Sequence, residues 1–213
     1  REHRYQAPVP QHDVWDRYLE LYGMDAVFPV VETELGRLAA VASEEILYPE
    51  ISRALALKGA EVIAHSTSEV GSPQLTPKDV AKRARAFENS VYVVSANTAG
   101  VADVSIAGRS TDGMSKIVDY NGQVLTEAGY GESIVAGAEI DIESLRRTRR
   151  RPGMSNTLSR QRTELFADVY GATSVYPANT LLAPDGSVKY PDRSHFIETQ
   201  RATIARLIDD DLI

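Results

Sequence analysis

Ser43 stands at the end of a short apolar run, residues 38–42, and is followed by Glu44, Glu45, Pro49 and Glu50. A serine hydroxyl attacks an electrophilic carbon once a base takes its proton, and a carboxylate is one side chain able to act as that base. Taken alone, Ser43 reads as a small polar residue beside a turn, and the nearby glutamates as solvent-facing acids, with Glu45 also a candidate for structural hydrogen bonding. Glu20 lies in a helical stretch with Trp15, Tyr18 and Leu19, where a surface position explains it as well as a site does. His65 follows Val62 and Ile63 and reads as a hydrogen-bonded structural histidine. His3, His12 and His195 are too scattered for a metal cluster and no His-x-x-x-His pair occurs, so neither a metal nor another cofactor is expected.

The elements that must position these residues alternate in type, which points to an α/β layered fold. Residues 27–31 and 38–42 read as strands joined by a tight turn containing Gly36. Pro49 suits the first turn of a helix whose face carries Ile51, Ala54 and Leu55, and Lys58-Gly59 closes it. Residues 61–65 form the next strand. Thr76-Pro77-Lys78-Asp79 is the clearest helix start, with a hydroxyl cap, proline and an acid in the first turn. That helix runs to about Asn89, with Val80, Ala84 and Phe87 as its apolar stripe and Lys82, Arg83 and Arg85 on other faces. Residues 92–96 are a buried strand, and residues 117–125 are two strands around a type I′ Asn121-Gly122 turn. Residues 133–140 read as another strand, and residues 142–151 as a helix whose terminal arginines complement its dipole. After Pro152 the chain is irregular until an amphipathic stretch over about residues 195–209.

Composition excludes several functions. The chain has 213 residues, 43% hydrophobic and 25% charged, with a net charge of −7, as a soluble globular protein does. Its apolar runs are far shorter than the ~20 residues of a membrane-spanning helix, so no membrane association is expected. The acidic balance argues against sequence-independent nucleic-acid binding. Absent cysteine removes disulfides, thiolate metal sites and a thiol nucleophile, and fits a cytoplasmic location. Gly108-Arg109-Ser110 lacks the strand-to-helix context of a phosphate loop.

The order of motifs carries more information than any one of them. Leu35-Gly36-Arg37-Leu38-Ala39-Ala40-Val41-Ala42-Ser43-Glu44-Glu45 is followed by Tyr48-Pro49-Glu50, Arg53-Ala54-Leu55-Ala56 and Gly59-Ala60-Glu61-Val62-Ile63. Arg83-Ala84-Arg85-Ala86-Phe87-Glu88-Asn89, Tyr92-Val93-Val94, Asn97, Gly100, Gly108-Arg109-Ser110 and the hairpin at 119–124 follow in turn. Over roughly residues 27–150 this succession resembles the nitrilase superfamily of carbon–nitrogen hydrolases. The resemblance implies a four-layer α-β-β-α sandwich and hydrolysis of a non-peptide amide or nitrile, by a glutamate base, a lysine and a cysteine nucleophile. It places Ser43 at the nucleophile position and gives the backbone N–H of Glu44 to the oxyanion hole. Glu20 falls where relatives carry a second, supporting glutamate. Glu2, 41 residues before Ser43, falls at the lysine position, while a shifted register brings Arg1 or Arg4 there instead.

Serine for cysteine replaces a group of pKa near ~8.5 by one that must lose its proton during attack. Two functions follow: a hydrolase acting through Ser43, or a catalytically silent relative that binds a small ligand or a partner subunit. No counterpart of the strand bearing the family's first glutamate precedes Arg1, so the expectation is a truncated product, a separate N-terminal segment or a numbering that starts within a longer chain. The expected division is a hydrolase-like domain over residues 1–170 and a C-terminal arm over residues 171–213. Phe196, Ile197, Ile204, Leu207 and Ile208 on that arm suit a homo-oligomer interface. Removing residues 171–213 is expected to lower the oligomer order, read as a smaller sedimentation coefficient; an unchanged profile refutes the interface.

Overall fold

The computed structural model describes residues 10–69, 75–100, 102–103 and 113–213. In chain order its elements are helix α1 (Trp15–Tyr22), strands β1 (Val31–Thr33) and β2 (Gly36–Ala42), helix α2 (Pro49–Leu57), strand β3 (Val62–Thr67), helix α3 (Pro77–Asn89), strands β4 (Tyr92–Asn97), β5 (Lys116–Val118) and β6 (Val124–Glu127), and helices α4 (Ile142–Arg150), α5 (Glu164–Ala172) and α6 (Arg193–Asp209). The described residues fall into two compact units, one within residues 28–161 and one of residues 10–27 with 162–213.

The larger unit is built on a six-stranded sheet in the order β1-β2-β3-β4-β5-β6. β2, β3 and β4 run parallel, and the pairs β1–β2, β4–β5 and β5–β6 are antiparallel. This is an α/β fold. Parallel neighbours need crossover connections, and α2 and α3 supply them. Because side chains alternate across a strand, Ala39, Val41, Ile63 and Val93 share one face and are buried there. Leu55 of α2 is 0% exposed. On the opposite face Val62 and Tyr92 pack with Leu145 of α4, and the Tyr92 and Tyr120 rings meet edge to face at 5.4 Å.

Several elements depart from the sequence expectation. Pro29, without an N–H, interrupts the expected first strand, which forms only at Val31–Thr33. The hairpin at β5–β6 forms, but of its turn residues Gly122 alone has positive φ, +80°, so the turn is not type I′. The Asp119 carboxylate holds it, accepting from the N–H groups of Asn121 and Gln123 at 2.9 and 2.8 Å. Residues 133–140 form no strand and are mostly exposed. Gly137 weakens strand character there, and no strand among the described residues lies alongside to take their backbone hydrogen bonds.

The face of α3 is inverted. Val80 and Phe87 are exposed, whereas Asp79, Lys82, Arg85 and Asn89 are buried. The charges go inward because each meets a partner: Lys82 pairs with Glu69 and Asp79, and Arg85 pairs with Glu88 and donates to the carbonyls of Ile46 and Leu47.

In the smaller unit α6 is capped by Asp192, whose carboxylate accepts from the N–H groups of Ser194 and His195. Helix α5 was not anticipated, and its Leu165, Phe166, Val169 and Tyr170 are exposed. Leu55→Ala removes fully buried methyl groups beneath α2. It is expected to cost about 2–5 kcal/mol, measured by urea unfolding against the parent chain.

Candidate active site

Strand β2 ends at Ala42, and Ser43 turns the chain with φ +44°, a left-handed conformation costing a non-glycine residue about 1–2 kcal/mol. A 3-10 turn, Ser43–Leu47, follows and leads through Tyr48 into α2. Its neighbours hold this bend closed. The buried Glu45 carboxylate reaches back to accept from the N–H of Ala42 at 2.8 Å. Ile46 is 0% exposed, and Arg85 donates to the carbonyl oxygens of Ile46 and Leu47, each at 3.0 Å. Strain of this size persists only where the surroundings fix it.

His65 braces the same turn from β3. Its Nε2 lies 2.9 Å from the Ser43 carbonyl oxygen and its Nδ1 2.9 Å from Ser95 Oγ. A carbonyl only accepts, so Nε2 carries the proton and donates it, leaving Nδ1 to accept from the Ser95 hydroxyl. That is the neutral imidazole. Burial, opposed by the Ser43 carbonyl and assisted by the positive charges of Lys82 and Lys78, pushes its pKa down to about 4. The reading of His65 as a hydrogen-bonded structural residue agrees with this geometry.

Sheet register extends the polar row. His65 pairs with Ser95, Ser95 with Lys116, and Lys116 with Glu127, so these residues cross neighbouring strands side by side. Lys116 Nζ lies 2.7 Å from Asp79 and 2.8 Å from Glu127, and Lys82 Nζ lies 2.9 Å from Glu69 and 3.5 Å from Asp79. Burial opposes the charge on Asp79, but Lys116 and then Lys82 outweigh it and hold the carboxyl below its ordinary range. Burial likewise opposes the Lys116 ammonium, and the carboxylates of Asp79 and Glu127 more than restore it.

Above this row, Lys78 in the first turn of α3 places Nζ 3.2 Å from Ser43 Oγ and 3.5 Å from Thr67 Oγ1. Ser43 and the following N–H of Glu44 therefore open a turn at the carboxyl ends of parallel strands, where ligands of open α/β sheets bind. Sequence reasoning did not find Lys78. The Thr76-Pro77 cap, with the Thr76 hydroxyl accepting from the Asp79 N–H at 3.2 Å, was the available signal. It fixes the helix start and so places residues 78 and 79.

Glu20 belongs to α1 in the other unit, where its carboxylate pairs with Arg17 at 3.0 Å on an exposed surface. Glu2, with Arg1 and Arg4, lies outside the described residues, as does Gly108-Arg109-Ser110. The arginine run is structural in part: Arg146 pairs with Glu61 at 2.7 Å, and Arg149 donates to the carbonyls of Ser90 and Ala60. Among the described residues no group of three or more His, Asp or Glu side chains is arranged to hold a metal ion, and no helix is long and apolar enough to cross a membrane.

Residues 3–150, a span that contains the Ser43 turn and every strand of the sheet, match the carbon-nitrogen hydrolase family. The chain belongs to that family. A carbon-nitrogen hydrolase from Helicobacter pylori G27 superimposes with a TM-score of 0.56 at 26% identity, over 66% of this chain and 51% of that one. An amidase from Nesterenkonia sp. AN1, in a mutant showing covalent addition of the acetamide moiety of fluoroacetamide at the active site cysteine, gives 0.51 at 25% identity over 66% and 47%. In sequence, the nitrilase of Pyrococcus abyssi is 34% identical over 127 residues, 59% of this chain and 45% of that protein. The human deaminated glutathione amidase is 32% identical over 120 residues, 56% of this chain and 36% of that protein. The carbon-nitrogen hydrolase chain thus spans about half the length of its relatives or less.

A neutral His65 links stability to pH. Its unfolded value is near ~6.5 and its folded value about 4, so between them the unfolded chain binds the extra proton. Stability is therefore lost as pH falls through that window. The unfolding free energy of the parent, relative to His65→Gln, is expected to drop by about 3 kcal/mol from about pH 6.5 to about pH 4. A difference that stays flat across the window overturns the assignment.

Proposed function

We propose that this carbon-nitrogen hydrolase cleaves a small non-peptide amide or nitrile to the acid and ammonia, with Ser43 as the nucleophile. The observation that carries the proposal is the strained Ser43 turn. A left-handed serine follows the end of a parallel strand and itself opens a 3-10 turn, with its Oγ 3.2 Å from the Lys78 ammonium. In the amide reaction Oγ bonds to the carbonyl carbon as its proton leaves, and the Glu44 N–H bonds to the developing oxyanion. The carbon–nitrogen bond then breaks with proton transfer to nitrogen. Water cleaves the resulting ester, releasing the acid and restoring the hydroxyl.

The identities of the relatives support the reaction class: one is a nitrilase, two are amidases, and the Nesterenkonia protein is modified at a cysteine. The second reading, a silent relative that binds a small ligand or a partner subunit, draws on the hydroxyl itself. Serine is a weaker nucleophile than a thiolate, and among the described residues no carboxylate is hydrogen-bonded to Ser43 Oγ.

Ammonia release from a panel of short amides and nitriles separates the two. Under the hydrolase reading the parent chain turns over at least one compound, Ser43→Ala falls to background and Ser43→Cys retains or gains activity. Background rates for all three proteins, with saturable binding of a panel compound by Ser43→Ala, establish the binding role instead.

A further inference from the structure

Three lysines reach the space between α3 and the strand ends, and they are not treated alike. Lys82 is 1% exposed and spans Glu69 and Asp79, while Lys116 spans Asp79 and Glu127. Lys78 has no carboxylate within ion-pair distance among the described residues; its partners there are two neutral hydroxyls, Ser43 Oγ at 3.2 Å and Thr67 Oγ1 at 3.5 Å. The first turn of α3 produces this division, because consecutive helical residues point about 100° apart. Asp79 turns inward to Lys116, and Lys78 turns over the nucleophile.

We infer that Lys78 is the proton carrier of Ser43 and the cation that balances the charge formed on attack. This rests on the reading of Ser43 as the nucleophile. An ammonium with a carboxylate partner would be neutralised; one whose contacts are hydroxyls is available to an anion that forms during reaction. With its amine neutral, Lys78 accepts the Ser43 proton while Oγ bonds to the carbonyl carbon. As ammonium it faces the tetrahedral oxyanion, then returns the proton to the departing nitrogen when the carbon–nitrogen bond breaks. Water attack on the ester repeats the exchange, with Lys78 accepting a proton from water and giving it back to Oγ. Thr67, within reach of the same Nζ, fixes the direction of the side chain and is a positioning residue.

The test uses a reagent that needs an activated serine but no amide specificity. A fluorophosphonate forms an Oγ–P bond and expels fluoride as the serine proton passes to the base. Labelling of the 213-residue chain is followed by intact mass across a neutral-to-alkaline pH series, for the parent, Ser43→Ala, Lys78→Met and Lys78→Arg. The parent is expected to gain one adduct at Ser43 at a rate that climbs with pH. Both lysine variants should label at least about 100-fold more slowly and lose the climb, while their thermal unfolding stays that of the parent. Lys78→Arg keeps a positive charge but has no amine to accept the proton. Labelling of either lysine variant at the parental rate and pH profile overturns the role of Lys78 while leaving the Ser43 reading standing. A parent that labels through Lys78 yet hydrolyses no amide or nitrile overturns the proposed substrate class alone. A parent that does not label at Ser43 overturns both.

Discussion

Beneath α3, Lys82 and Lys116 share Asp79, with Glu69 and Glu127 completing their coordination, and four of these five side chains are almost wholly removed from water. Dehydrating an ion costs several kcal/mol, so an arrangement like this persists only if every charge keeps its partners. The Thr76 hydroxyl reaches both Glu69 and Asp79, and Asn97 accepts from the N–H of Glu69. The network therefore ties the exit of β3, the start of α3, the end of β4 and the start of β5 to one another. Moving α3 along its axis would strip a lysine of its carboxylate. The start of that helix is where Lys78 leaves for Ser43, so the position of the candidate cation is a consequence of the ion pairs below it.

The second constraint is the neutrality of His65. Its ring joins two strands to the turn, with Ser95 on one side and the Ser43 carbonyl on the other. An imidazole in this tautomer holds a backbone oxygen without introducing a charge beside the nucleophile. The positive charge near Oγ then comes from Lys78 alone among the described side chains that contact it. Bracing and charge are assigned to different residues on different elements.

Much of this fold was legible in the amino-acid order. The apolar runs at 38–42, 61–65 and 92–96, the Pro49 and Thr76-Pro77 helix starts and the final amphipathic stretch all correspond to observed elements. The motif succession was enough to identify the family. Periodicity failed on α3, because it scores Val80 and Phe87 as inward and Lys82 and Arg85 as outward. The pairings that reverse this come from Glu69, Ile46 and Leu47, which are distant along the chain. Residues 133–140 alternate well enough for a strand, but strand formation requires a neighbour and sequence does not supply one. Lys78 is not legible for a related reason: the family pattern places its lysine upstream of Ser43, while the lysine beside Ser43 lies on a later helix.

The left-handed backbone at position 43 also restricts which nucleophiles evolution or engineering could place there. Serine and cysteine are both unbranched at Cβ and differ there mainly in reactivity. Threonine offers the same hydroxyl, but its extra methyl makes a positive φ a severe outlier. The geometry of one peptide unit thus admits an exchange of oxygen for sulfur and bars an exchange of one alcohol for another.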